Sequence, residues 1–441
     1  MQQRQAQLEQ LVDDLLSEAK RQGATAAEAG VSSDSGLSLT VRLGATETIE
    51  HTRDNGLGVT VYFGQRKGSA STSDFSPQAI RETVEAACNF ARYTSEDPCA
   101  GLADAGLMAT ELPNLDLYHP WDLAVDEAIE LATRCETAAR DEDERIFNSE
   151  GATLNSHSGL HVYGNTHGFI GGYPSSRHSL SCAVVGKEGD SMQRDYWYTL
   201  SRLSGEMELP ELVGKVAAQR TVSRLGSRRV TTQQAPVIFQ ADVAVGLLRS
   251  FIGAIRGSAL YRKASFLLDS LDDQIFPGFV NIHEEPHLLR GLASAAYDNE
   301  GVATTQRDYI SDGILQSYVL DSYAARKLGM QTTGNAGGVR NLRINSGALD
   351  LQGLLKKMDS GLLVTELMGQ GLNMVTGDYS RGAAGFWVEN GEIQYPVEEI
   401  TIAGNLREMF MGLQEVGTDV ETRSSVQTGS WLIDRMMIAG G

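Results

Sequence analysis

The chain has 441 residues, 41% of them apolar and 21% charged, and carries a formal net charge of −20. That length calls for more than one hydrophobic core, and the composition excludes a disordered or low-complexity chain. So acidic a surface repels phosphate backbones, which argues against direct binding of DNA or RNA.

Leu8, Leu11, Val12, Leu15, Leu16 and Ala19 recur at helical spacing and predict an amphipathic first helix. Residues 37–73 switch to alternation and predict an antiparallel meander. Its turn is expected at Asp54-Asn55-Gly56, because Asn-Gly supplies the positive φ angles of a type I′ hairpin. Ser76 and Pro77 then form an N-cap and first helical position. Further helices are expected over Trp121–Arg140 and Leu209–Leu225, with short Gly- and Ser-punctuated strands over 145–205 between them.

The basic stretch Gly226-Ser227-Arg228-Arg229 marks the expected boundary between two domains, 1–228 and 229–441. Beyond it, Val237-Ile238-Phe239 reads as a buried strand and Val243–Ile255 as a helix. Asp312-Gly313 and Asn390-Gly391 predict hairpins over Tyr309–Leu320 and Phe386–Tyr395. The fold class is therefore α+β: an N-terminal α+β domain with an antiparallel sheet, then a β-rich C-terminal domain with few helices.

Cys88, Cys99, Cys135 and Cys182 are scattered without a CxxC pair, as reduced thiols would be. The N-terminus lacks the apolar stretch of a signal peptide, and no segment approaches the roughly 20 apolar residues of a membrane span. The expectation is a cytoplasmic protein that does not meet the membrane.

His283-Glu284-Glu285-Pro286-His287 is a literal HExxH. In zinc proteases that motif lies on a helix, so both imidazoles meet one Zn²⁺ and the glutamate reaches the bound water. Pro286 opposes this, since it removes a helical N–H and pushes Glu285 out of the α region. No histidine follows His287 to serve as a third ligand. The segment reads as a surface loop, with a zinc site on His283 and His287 as the alternative.

His157 and His161 share one strand face near His167, but no carboxylate or thiolate stands at short spacing; polar strand residues are the expectation. The loop Gly334-Asn335-Ala336-Gly337-Gly338 matches neither GxxxxGK[ST] nor GxGxxG before a helix. Close backbone approach, by a substrate, a partner or another strand, is expected at Gly334, Asn335, Gly337 and Gly338. Composition and spacing by themselves yield no catalytic centre.

Four stretches resemble the TldD/PmbA family of bacterial and archaeal proteases, once described as modulators of DNA gyrase. Three lie in the C-terminal half: DNEGVAT (298–304) with ISDGILQSYVLD (310–321), TGNAGG (333–338), and TGDYSRGAAGFWVENGEIQYPVEEITIAGN (376–405). The fourth runs from Thr48 through Asn55-Gly56 to Tyr62.

The resemblance implies two branches that pair. In the TldD-like branch an HExxxH follows a Leu-Leu pair, with a thiolate ligand near the C-terminus. Laid on Leu247-Leu248, the ligand positions fall on Arg249 and Ala254 and the general base on Ser250, while Gly253 keeps its glycine. Arg249 cannot ligate a cation and Ala254 has no donor atom. No cysteine follows Cys182.

The chain thus resembles the PmbA/TldE branch. The implied role is a metal-free subunit, with no cofactor of its own, of a two-subunit metalloprotease acting on unfolded or short peptides. Peptide-antibiotic maturation and antitoxin-type turnover are such reactions. The implied partner is a TldD-like subunit that carries zinc, with a homodimer in its absence. The alternatives are a self-sufficient homodimeric zinc protease using His283, Glu284 and His287, and a non-enzymatic regulator that binds other proteins.

Overall fold

The computed structural model describes residues 1–440. The first half is built on one antiparallel sheet of six strands. They are β1 (Ala26–Arg42), β2 (Ala45–Phe63), β3 (Arg66–Thr72), β4 (Ile146–Asn165), β5 (Ile170–Glu188) and β6 (Ser191–Ser201), in the order β3-β2-β1-β4-β5-β6. Strands of this length reach about 55 Å, long enough to carry two helix pairs side by side on one face.

Ala27, Ala29 and Val31 of β1 pack beneath α1 (Gln2–Arg21) and α2 (Pro77–Tyr93). Leu37, Leu39 and Val41 of the same strand pack beneath α3 (Val125–Asp141) and α4 (Pro210–Ser223). Period-two alternation along a single strand thereby feeds two separate cores. Leu8, Val12, Leu15, Leu16 and Ala19 are buried as the helical spacing predicts, and the Ser76 side chain caps α2 by accepting from Ala79 N.

Two expectations fail here. Asn55-Gly56 is not a turn: both residues lie inside β2, opposite Ser33 and Ser32. The chain reverses at Leu43-Gly44 instead, with φ of 51° and 76°. A turn at Asn55 would pair β2 with itself and leave the long β1 ladder without a partner, so the larger set of hydrogen bonds wins. Residues 145–205 are likewise not short strands. Glycines within β4 and β5 fall at positions where β1 or a neighbouring strand approaches, and the strands run through them.

The second half contains two sheets. One has the order β14-β13-β12-β7-β17-β15, from β7 (Gln233–Phe239), β12 (Gly361–Met368), β13 (Asp378–Glu389), β14 (Glu392–Asn405), β15 (Leu413–Val416) and β17 (Trp431–Ala439). β14 also pairs with β17, so the sheet closes on itself and β14 is no longer a free edge. Val237 and Phe239 of β7 enter the large core with α5 (Ala241–Ala254), while Ile238 faces the helix at Leu351–Met358. A strand buried on both faces needs the continuous apolar run found there.

The other sheet, β10-β9-β8-β11-β16, comprises β8 (Ile282–Glu284), β9 (Arg307–Ser311), β10 (Ile314–Leu315), β11 (Leu342–Ile344) and β16 (Val426–Gln427). Both predicted hairpins form. Asp312-Gly313 joins β9 to β10 and Asn390-Gly391 joins β13 to β14, all four residues with positive φ. The α+β class follows from these mixed helices and sheets. Among the described residues no helix is long and apolar enough to cross a membrane.

The halves are joined by polar ties and by a small aromatic cluster of Tyr163, Phe169 and Tyr297. One such tie is Arg202, buried at the end of β6's ladder, which donates to the Gly291 and Leu292 carbonyls.

Candidate functional site

The apolar β7 leads directly into α5, whose Ala244, Leu247, Leu248, Phe251 and Ala254 are buried against the large core. That stripe leaves Asp242, Gly246 and Arg249 on the opposite side, facing a cleft between the two halves of the molecule. The far wall is β6 with Tyr196, Trp197 and Tyr198, joined by Arg220 of α4, and the floor is the segment Glu421–Ser425. The cleft consists of two adjoining cavities of 440 and 350 Å³ that share Tyr196, Arg220, Asp242, Val245 and Arg249.

Arginine and aromatic rings dominate the geometry. The Arg423 guanidinium sits 3.7 Å from the centre of the Trp197 ring and 4.6 Å from that of Tyr198, and it pairs with Glu421. It also donates to the Tyr198 carbonyl at 2.9 Å, while Arg224 donates to the Arg194 carbonyl at 3.1 Å. Guanidinium groups of this chain therefore occupy two outward carbonyls of the β6 edge. Arg220 lies 5.2 Å from the Trp197 ring centre and 3.4 Å from both Asp195 and Asp242. Burial pushes the Asp242 carboxyl up from its ordinary range, against the pull of Arg220.

Arg249 is exposed to the cleft and donates to the Ser424 hydroxyl at 3.2 Å. The Ser250 hydroxyl turns back onto the Gly246 carbonyl at 2.8 Å, so it is tied to its own helix. Ala254 is fully buried and its carbonyl accepts from the Ser265 hydroxyl. Among the described residues, no three His, Cys, Asp or Glu side chains stand together as a metal-ligand group. The cleft offers charged donors and ring faces.

The His283–His287 segment is placed differently from expectation. It is not a helix, and only its latter part is a surface loop: His283 and Glu284 belong to β8 (Ile282–Glu284), paired with β11 and β9, while Glu285–His287 leave the strand in a turn. Glu284 is 2% exposed and accepts from both Asn335 (3.0 Å to each oxygen), the Arg340 N–H (2.6 Å) and the Tyr309 hydroxyl. Burial pushes its carboxyl up, and the three donors pull it back toward ionisation. Those donors make the interior tolerable for a carboxylate, which no loop-level signal in the sequence announces. His283 lies in the strand with Glu285 4.0 Å away, and His287 bonds Thr304 at 3.1 Å.

Glu284 and the glycine-rich loop are thus one unit. Asn335 is buried, and Ala336 N donates to Asp298. A Cβ at Gly334 would lie 2.8 Å from the Ala303 carbonyl, and one at Gly337 would lie 2.5 Å from the Asn299 side chain. The close approach expected of this loop is made by its own chain, segment Asp298–Ala303; only Gly338 borders open space. His157 and His161 line β4 against Gly36 and Gly30 of β1, and His167 bonds the Ala103 carbonyl, so the three serve different neighbours.

Of the α5 positions named from the sequence only Arg249 lines the cleft, and sequence reasoning missed Asp195, Trp197, Arg220 and Arg423. These stand on three elements, β6, α4 and the segment Glu421–Ser425, spread over more than half the chain. The run Tyr196-Trp197-Tyr198 was the one local signal pointing to a wall.

Three family models of the PmbA/TldA metallopeptidases match the chain: domain 1 over residues 27–91, the central domain over 118–225 and the C-terminal domain over 232–440. Metalloprotease PmbA of Escherichia coli O157:H7 is 56% identical over 94% of this chain and 92% of that protein. A PmbA homologue of Haemophilus influenzae is 52% identical over 98% and 96%. A crystal structure from Bacteroides thetaiotaomicron, described as a proposed modulator of DNA gyrase, superposes with a TM-score of 0.93 at 29% identity, covering 98% of each chain.

Proposed function

Because the chain belongs to the PmbA/TldD metallopeptidase family, we propose that it is the metal-free subunit of a cytoplasmic two-subunit peptidase. A TldD-like partner supplies the zinc ion, its bound water and a carboxylate base for peptide-bond hydrolysis. This chain closes the chamber and holds unfolded or short peptides. The observation that carries the reading is the chemistry of three positions on α5. The three positions where the resemblance puts ligand, base and ligand hold a guanidinium, a hydroxyl tied to its own helix, and a fully buried methyl group.

Those residues do not fit a zinc ion. A guanidinium has no lone pair to give, and no imidazole fits at Ala254 without displacing core. No step of hydrolysis is assigned to this chain. The strand geometry of Ile282–Glu284 also leaves His283 and His287 without the shared helical face that an HExxH site requires.

The test compares this chain alone, a TldD-like subunit alone, and the two mixed, by zinc content and by cleavage of an unfolded protein. Zinc and activity are expected to follow the partner, with activity rising on mixing. Stoichiometric zinc and cleavage in this chain alone, both lost in His283→Ala, would overturn the proposal.

A further inference from the structure

The cleft between β6 and α5 concentrates positive charge on a molecule whose net charge is −20. Its acids are already engaged: Asp195 and Asp242 with Arg220, Glu366 with Arg224, and Glu421 with Arg423. Arg177, Arg249 and Arg381 line the same cleft, and among the described residues no carboxylate lies within 4.0 Å of any of them. The Nε–H donor of Arg381 is buried without a hydrogen-bond partner. Leaving such a donor unpaired is costly, and a local excess of cations on an acidic protein attracts and orients an anion.

We infer that this cleft is a carboxylate-binding site in its own right, taking the C-terminal carboxylate or an acidic side chain of a peptide. The planar fork of a guanidinium matches the two oxygens of a carboxylate. The exposed Tyr196 supplies a ring face for the residues beside it, while the Trp197 and Tyr198 rings hold the Arg423 guanidinium in the wall. The capped carbonyls of Arg194 and Tyr198 limit strand addition along β6, so side-chain donors, and not main-chain pairing, hold the ligand there. Asp242 and Glu421 in the walls disfavour a dianion such as phosphate, and the overall charge repels a polyanion. The inference concerns this chain alone and stands whether or not it pairs with a zinc-bearing subunit.

The test titrates the full chain by calorimetry with three probes: N-acetyl-tetraalanine as free acid, the same peptide as its C-terminal amide, and that amide carrying one glutamate. Tryptophan fluorescence is followed in parallel, because Trp197 lines the site. At least one carboxylate probe is expected to bind, and the neutral amide to bind about ten-fold or more weakly. Which carboxylate probe binds separates the terminal from the side-chain source. Arg249→Ala and Arg381→Ala are each expected to weaken that binding by about ten-fold, the scale of one charge-assisted contact. Arg249→Lys should recover part of the loss, and the unfolding temperature of the Arg249 variants should stay unchanged. Four results each overturn the inference: no binding of either carboxylate probe at millimolar concentration, equal binding of the neutral amide, unchanged affinity in Arg249→Ala, or displacement of the peptide by equimolar inorganic phosphate.

Discussion

Two regions of this molecule compete for the same description. The His283–His287 segment carries the letters of a zinc-protease motif, whereas the Leu247–Ala254 turn of α5 carries none of them. In space the roles reverse. The lettered segment folds as a strand whose carboxylate is sealed under Tyr309, Asn335 and Arg340 and holds a loop of its own chain. The unlettered helix presents Arg249 to the cleft that the two halves enclose. Spacing specifies chemistry only once the backbone conformation is known, because i and i+4 share a face on a helix and not across a strand end.

The comparison can be broken most sharply at Glu284. Glu284→Ala strands three buried donors, and a loss of about 4 kcal/mol is expected in urea unfolding. A variant as stable as the parent would show that the carboxylate is no anchor. The α5 side is tested by Ala254→His, which pushes an imidazole into a packed core. About 3 kcal/mol should be lost, and adding Arg249→His and Ser250→Glu should not create zinc binding, measured by metal content after dialysis.

A third expectation concerns Glu300, on the segment against which the glycine-rich loop packs. Burial raises its carboxyl to about 7 from an ordinary 4.5. The folded state therefore holds the proton more tightly than the unfolded chain. The resulting stability is fully present below pH 4.5 and is lost as pH rises through about 7, about 3 kcal/mol in all. Glu300→Gln should flatten that part of the profile when unfolding is followed at pH 5 and pH 8; an unaltered slope would place the titration elsewhere.

The smallest effects belong to the exposed histidine and arginine. His287→Ala removes one hydrogen bond to Thr304 and should cost about 1 kcal/mol. It should leave the zinc content and activity of a mixed two-subunit enzyme unchanged. Arg249→Ala should stay within about 0.5 kcal/mol of the parent in stability, so that its effect on ligand binding reads chemistry and not folding.

Much of the fold was legible in local pattern. The α1 stripe, the Ser76 cap, the apolar run of β7 and the two glycine hairpins at Asp312 and Asn390 all follow from periodicity and turn chemistry acting within a few residues. Asn55-Gly56 carried an equally good turn signal and did not turn. A turn's preference amounts to a kcal/mol or so, and the ladder that β2 forms with β1 outweighs it. Likewise the chain's acidity was visible at once, but the arginine-rich cleft was not.

By itself the sequence determined which elements form wherever the deciding contacts are local, and it determined family membership, because long motifs leave little room for coincidence. It also named the residues, Arg249, Ser250 and Ala254, that stand on α5 where a metal site is expected. Only the tertiary structure decided what surrounds them. Burial of Glu284 depends on donors 25 to 56 residues away in the chain, and the cleft joins Trp197 and Arg220 to Arg249 and Arg423 across the two halves of the molecule. Such long-range neighbours leave no period in the sequence. They arise when sheets and helices pack, and the charges they bring together are what give the site its chemistry.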